Sequence, residues 1–277
     1  MASKDQRRRQ LARQKYTRQQ QRRTDSTRRT KRRNMVVAGV VAVALAAGVT
    51  AYASASLIGG DRKDASDQAA ASPSPTAADP CARPAEGSPS AKTWSKEPAM
   101  TVDASATYTA ELATTCGRIT FAMDAGKTPH TVNSFAFLAG QGYFDHSRCH
   151  RLVDSGIYVL QCGDPKGTGQ GTPGYTLPDE NLKDPRIKGS VYPAGTVAMA
   201  NRYDGQDPKT RNSGGSQFFL VYKDSQLPPN YTPFGRITGG MDVLKKIAAA
   251  GSHPDPATGN TAPNATVVIN GASVRKS

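Results

Sequence analysis

From Met35 to Ile58 the chain reads MVVAGVVAVALAAGVTAYASASLI, a stretch without a single charge. As a helix rising 1.5 Å per residue it would be roughly 36 Å long, enough to cross a hydrocarbon core of about 30 Å with some tilt. Its small residues, Ala38, Gly39, Ala46, Ala47 and Gly48, suit a membrane helix better than a soluble core helix of that length. Any folded domain must therefore be built on one side of this stretch or the other.

The formal net charge of +14 follows the same division. Residues 1–33 carry fourteen Lys and Arg against only Asp5 and Asp25, so the remainder of the chain is close to neutral. The basic character belongs to a tail and not to a binding face. Under the positive-inside rule residues 1–34 stay cytoplasmic, 35–58 span the cell membrane once, and everything after Gly60 lies outside the cytoplasm. A cleaved signal peptide is the competing reading, since AYASAS offers small residues at suitable spacing, although a 33-residue charged leader is long for one. The tail reads as a topology signal resting on lipid headgroups, with no specific nucleic-acid partner.

Residues 59–99 are rich in Ala, Ser, Pro and Asp, with too little apolar surface to fold, and read as a disordered linker carrying the only Trp, Trp94. Residues 100–277 then form one domain of ordinary size. TYTAEL and RITFAMD alternate polar and apolar positions, with Ile119, Phe121 and Met123 on one face and Thr115-Cys116-Gly117 as the turn between them. CHRLV, IYVLQC, GTVAMA, SQFFLVY, TPFGRI and TVVINGASV are further strand-like runs. Two segments read as helices. One has Thr128 as N-cap, Pro129 at the first position and Val132, Phe135, Ala136 and Ala139 on one face; the other places Val243, Leu244, Ile247 and Ala248 together and stops at Gly251. Many strands with two helices define a barrel or sandwich with helical caps.

The usual reactive constellations are missing. The four His, His130, His146, His150 and His253, lack HxxxH-type spacing, so no metal is expected, and there is no GxSxG elbow. GTGQGTPG (167–174) looks like a phosphate loop, but Pro173 interrupts it and no helix follows, so it reads as a loop of tight turns and no cofactor is expected.

What remains is two dense blocks, CHRLVDSGIYVLQCGDP (149–165) and the run from Gly195 to Ile237. Cys149-His150-Arg151-Leu152-Val153, Tyr158 to Asp164, Ala198-Met199-Ala200-Asn201, Gly215-Ser216-Gln217-Phe218-Phe219 and Pro233-Phe234-Gly235-Arg236-Ile237 occur in the order of the cyclophilin signatures. The chain resembles that family, and most of all its membrane-anchored actinobacterial members, from Thr107 to about Gly251. The resemblance implies an eight-stranded antiparallel closed β-barrel capped by two α-helices and peptidyl-prolyl cis–trans isomerase activity. It also implies catalytic roles for Arg151, Gln161 and Phe219, a substrate groove completed by Tyr158, Val159, Ala200, Asn201, Leu227, Tyr231 and His150, proline-containing polypeptides as substrates, and a monomeric catalytic domain. A non-catalytic peptide-binding or chaperone module using the same groove is the alternative.

Three departures stand out. Gln226 occupies the place of the Trp found in strongly cyclosporin-binding members, which implies weak cyclosporin binding, and Tyr231 stands where the family has a groove His. The Arg151–Gln161 connection is two residues longer, leaving Tyr158 and Ile157 as alternatives for one groove position. The cysteines bear on the same hairpin. A turn centred on Gly156 pairs Arg151 with Gln161 but separates Cys149 from Cys162; one centred between Ser155 and Gly156 does the reverse, unless a bulge reconciles the two. The pairing of Cys81, Cys116, Cys149 and Cys162 stays open.

Overall fold

A computed structural model of the chain describes residues 78–203 and 205–277. The basic tail, the membrane span at 35–58 and the first part of the linker lie outside the described residues. Among the described residues no helix is long and apolar enough to cross a membrane.

The first hairpin forms where alternation places it. β1 (Tyr108–Thr114) and β2 (Gly117–Met123) pair antiparallel, with Leu112 opposite Ile119. Ala110, Leu112, Ile119, Phe121 and Met123 all point into the core. The other strands are β3 (Ser147–Arg148), β4 (Arg151–Val153), β5 (Val159–Cys162), β6 (Val191–Tyr192), β7 (Thr196–Met199), β8 (Phe218–Val221), β9 (Ser225–Gln226), β10 (Pro233–Gly239), β11 (Ser252–Asp255), β12 (Asn260–Pro263) and β13 (Val268–Lys276). Nine of them make one curled antiparallel sheet in the order β3-β13-β1-β2-β10-β7-β8-β5-β4, while β6–β9 and β11–β12 are separate ribbons.

This corrects the expected eight-stranded closed barrel to a nine-stranded half-barrel. Its two edge strands, β3 and β4, follow each other along the chain with only Cys149 and His150 between them. They run end to end across the seam and so cannot be ladder partners.

Two helices seal the core. α1 (Pro129–Gly140) drives Phe135 among the rings of Phe121, Phe144, Phe218 and Phe234, with centroids 4.9–5.7 Å away, and α2 (Met241–Ala249) buries Leu244 and Ile247. Thr128 does sit at the N-cap of α1, but its hydroxyl donates to the Asp124 carbonyl at 2.7 Å and caps nothing. The cap comes from fifty residues away. The Glu180 carboxylate accepts from the His130 and Thr131 amides at 3.1 and 2.9 Å and from the Thr131 hydroxyl at 2.7 Å. It satisfies the free amides of the first turn and opposes the helix dipole. Glu180→Ala should therefore cost about 1–2 kcal/mol, read as a lower urea midpoint at unchanged m-value.

Residues 78–99 behave differently from the linker their composition suggests and belong to the same compact unit as the domain. Cys81 is disulfide-bonded to Cys116 in the β1–β2 turn. The Trp94 ring packs on Phe137 and Tyr143 at 5.1 and 5.8 Å, and its amide donates to the Pro173 carbonyl at 2.8 Å. Gly174 allows this approach, since a Cβ there would overlap the Trp94 carbonyl. One disulfide and one aromatic anchor supply what a Pro- and Ser-rich composition lacks.

Candidate active site

Strands β5, β8 and β7 are covered on both faces, which is why their sequences read as unbroken apolar runs. Leu160, Phe218, Leu220 and Val197 face the main core, while Val159, Phe219, Val221 and Ala198 form a second cluster with Tyr192 and Leu227 on the opposite face. Ladder register then sets a row across that outer face. Arg151 of β4 lies opposite Gln161 of β5, Gln161 opposite Phe219 of β8, and Phe219 opposite Ala198 of β7. The next row is Val153, Val159 and Val221. A cation, an amide and apolar side chains thus share one surface because the side-chain period along each strand is two.

The Arg151–Gln161 register places the hairpin centre on Gly156, and Cys149 is nonetheless disulfide-bonded to Cys162. Both alternatives hold because Cys149 and His150 lie outside β4, where strict alternation lapses; the Cys149 amide turns to the Val267 carbonyl at 2.9 Å.

The row opens into a cleft of about 280 Å³ lined by Arg151, Gln161, Val159, Ala200, Asn201, Phe219, Leu227, Tyr231 and His150, which brings together nine of the ten residues expected there. Tyr158 is the exception and its place is taken by Ile157, which belongs to the outer cluster with Val159 two residues on. Tyr158 turns the other way, its ring against Tyr222 and under the Lys223 ammonium at 4.4 Å, its amide held by the Ser225 hydroxyl at 2.8 Å. The longer hairpin, not the sequence signature, decides which side chain reaches the groove. Ile157→Ala should weaken peptide binding about tenfold in KM while Tyr158→Ala leaves KM unchanged, measured by saturation kinetics on one proline peptide.

Arg151 donates to the Gln161 carbonyl oxygen at 3.2 Å. Burial pulls its guanidinium below the ordinary value, with Tyr231 opposing, yet an arginine stays charged at any working pH. Phe219 and Tyr231 meet edge to face at 5.4 Å, and the Tyr231 backbone is clamped by the Tyr192 hydroxyl, which donates to its carbonyl and accepts from its amide. The Asn201 side chain donates to the Asn230 carbonyl at 2.7 Å and accepts from the Tyr203 amide at 3.2 Å. Neighbouring Gln226 donates to the Gly189 carbonyl and does not line the cleft. His150 is buried with neither ring nitrogen hydrogen-bonded. Burial, with Arg151 and Arg148 adding to it and Asp164 opposing, holds the imidazole below its usual range and hence neutral at pH 7.

Asp164 is the residue the sequence did not single out. Its carboxylate, fully buried, accepts from the amides of Lys166, Thr168, Gly169 and Gly171 at 2.7–3.0 Å, so the phosphate-loop look-alike is wrapped around the protein's own anion. Gly171 is required there, since any Cβ would overlap the carboxylate. The clue was present as a cluster of glycines directly after an acidic residue. Gly169, from the glycine-rich loop, and Asn260 of β12, which carried no sequence signal, also line the cleft. Among the described residues no group of three or more His, Cys, Asp or Glu is placed to hold a metal ion.

A half-barrel with two helices, carrying a cleft lined by one arginine and apolar side chains on its outer face, is cyclophilin-like in fold. The chain belongs to the cyclophilin type peptidyl-prolyl cis-trans isomerase family, whose model matches residues 109–274. It is 49% identical over 155 residues to a probable peptidyl-prolyl cis-trans isomerase B of Mycobacterium leprae, covering 53% of this chain and 50% of that protein. It is 35% identical over 132 residues to peptidyl-prolyl cis-trans isomerase B of Bacillus subtilis, covering 47% of this chain and 83% of the relative. The chain spans about half the length of its mycobacterial relatives. Among solved structures, a Cryptosporidium parvum cyclophilin type peptidyl-prolyl cis-trans isomerase superposes with a TM-score of 0.49 at 25% identity, covering 62% of this chain and 99% of that one.

Proposed function

We propose that the chain catalyses cis–trans isomerisation of X–Pro peptide bonds, with Arg151 stabilising the twisted amide and the Phe219, Val159 and Leu227 pocket holding the proline ring. The observation that carries this is the row Arg151–Gln161–Phe219 across adjacent strands. Rotation about a peptide bond must break C–N double-bond character, a barrier of about 18–20 kcal/mol, so uncatalysed X–Pro exchange takes on the order of tens to hundreds of seconds. In the twisted state the prolyl nitrogen regains a lone pair. A fixed cationic donor facing it interacts more strongly there than in either planar ground state, which is the condition for acceleration. No nucleophile is needed. The apolar pocket grips the ring while the preceding carbonyl swings, and the rim backbone at Asn201 holds the substrate chain.

The substrates are then proline-containing segments of exported or membrane-proximal polypeptides, a placement that follows from the basic tail and the uncharged stretch within residues 1–58. Membrane fractionation with N-terminal sequencing checks it: a mature chain beginning after Ile58 would replace the anchor with a cleaved signal. For the activity itself, the full chain is expected to accelerate relaxation of an X–Pro tetrapeptide well above the uncatalysed rate. Binding without acceleration would leave only a peptide-binding module.

A further inference from the structure

Arg151 opens a strand that is weakly held at one end. β4 is an edge strand of three residues whose ladder partner is β5. At its far end the hairpin through Gly156 ties Val153 to Val159. At the near end, where Arg151 meets Gln161, the chain leaves the ladder. The Cys149 amide turns to Val267, and neither nitrogen of the His150 ring is hydrogen-bonded. Arg151 itself reaches Gln161 through a hydrogen bond of 3.2 Å, at the long end of the normal range. Its aim therefore depends on where the two backbones sit.

A covalent tie lies at that open end. Cys149 precedes Arg151 by two residues, Cys162 directly follows Gln161, and the two are disulfide-bonded. Both are buried in the main core with Leu152 and Leu160, behind the face that carries Arg151 and Gln161. The bond closes the hairpin just beyond the Arg151–Gln161 pair, where no further ladder pair follows.

We propose that the Cys149–Cys162 disulfide positions Arg151 by holding β4 against β5, so that the isomerase is fully active only in its oxidised form. This rests on the isomerase reading of Arg151. Neither cysteine lines the cleft, so the bond acts through backbone placement and leaves the pocket that grips the proline ring as it is. The chemistry that undoes it is thiol–disulfide exchange. A dithiol reductant supplies two electrons and two protons, the Cys149–Cys162 S–S bond breaks to two thiols, and the reductant leaves as its own disulfide. A reducing cytoplasm holds such a chain in the weaker dithiol form, and an oxidising compartment turns it on.

The test uses the full chain as oxidised wild type, as the same chain reduced with dithiothreitol, and as the double variant Cys149→Ala/Cys162→Ala. Reduction is repeated in Cys81→Ala/Cys116→Ala, so that the reductant meets only the Cys149–Cys162 bond. Reduction and the double variant are each expected to lower kcat about tenfold with KM changed less than about twofold, as a small displacement of a catalytic group does. Reoxidation should restore kcat, and dithiothreitol should not slow the double variant further. If the buried bond resists the reductant, the chain is reduced in urea and refolded in dithiothreitol. Full kcat in the dithiol form overturns the proposal, and so does a rise in KM with kcat intact, which would mark a deformed pocket. A dithiol form that fails to refold also overturns it and makes the bond a folding staple. NMR of the Gln161 side-chain amide supplies a readout that needs no turnover: its resonances should move on reduction, and unmoved resonances overturn the positioning role. An oxidised wild type without isomerase activity would instead overturn the functional reading and leave the NMR result standing.

Discussion

Arg151→Ala is expected to lower kcat/KM for X–Pro isomerisation about 10²–10³-fold, the range seen when one preorganised donor to a developing lone pair or anion is removed. Thermal stability should change little, because Arg151 is only half-buried, and its hydrogen bond in the cleft is to an amide and not a charge. Arg151→Lys separates charge from geometry. An ammonium is a point donor on a flexible stem, and it cannot both hold the Gln161 oxygen and face a prolyl nitrogen in a fixed plane as a guanidinium can. We expect Lys to recover at most about a tenth of the lost factor. Because Phe219, Leu227 and Val159 remain, peptide binding should persist, so the loss belongs in kcat. Wild-type turnover by Arg151→Ala would sink the catalytic role and leave the groove as a binding surface.

The elements that place Arg151 were readable because their signals are local. Period-two alternation in RITFAMD sent Ile119, Phe121 and Met123 into the core, and the same alternation brings Gln161 and Phe219 to one face. The helices were readable from Pro129 and from the spacing of Val132 and Phe135. What escaped depends on distant parts of the chain. Glu180 caps α1 from a loop with no helical signal. Residues 78–99 join the domain through Cys116 and Phe137, and composition cannot name a cysteine's partner. Strand count and closure follow from how far the sheet curls before β3 meets β4, which no single strand encodes. At Ile157 and Tyr158 the motif alone was ambiguous by one residue, and a one-residue shift exchanges the faces of a strand.

Asp164 shows how the loop behind the groove depends on one buried charge. Asp164→Ala strands the amides of Lys166, Thr168, Gly169 and Gly171 together with the Thr168 hydroxyl. The loop is partly exposed, so some of these donors find water, and the expected cost is about 2–4 kcal/mol rather than the larger sum of separate charged hydrogen bonds. Asp164→Asn should lose less, since an amide oxygen in the place of Oδ2 still accepts from Thr168, Gly169 and Gly171 while the NH₂ faces only the Lys166 amide. The pH dependence has a definite sign. Burial alone would raise the Asp164 carboxyl, but hydrogen bonds from Gly171, Lys166 and Thr168 outweigh it and hold the folded-state pKa below the usual carboxylate value. A depressed carboxyl contributes fully above its unfolded value of about 3.9 and loses that contribution as pH falls from there through the folded pKa. Wild-type stability should therefore drop more steeply than that of Asp164→Asn below about pH 4, measured as urea midpoints at a series of pH values.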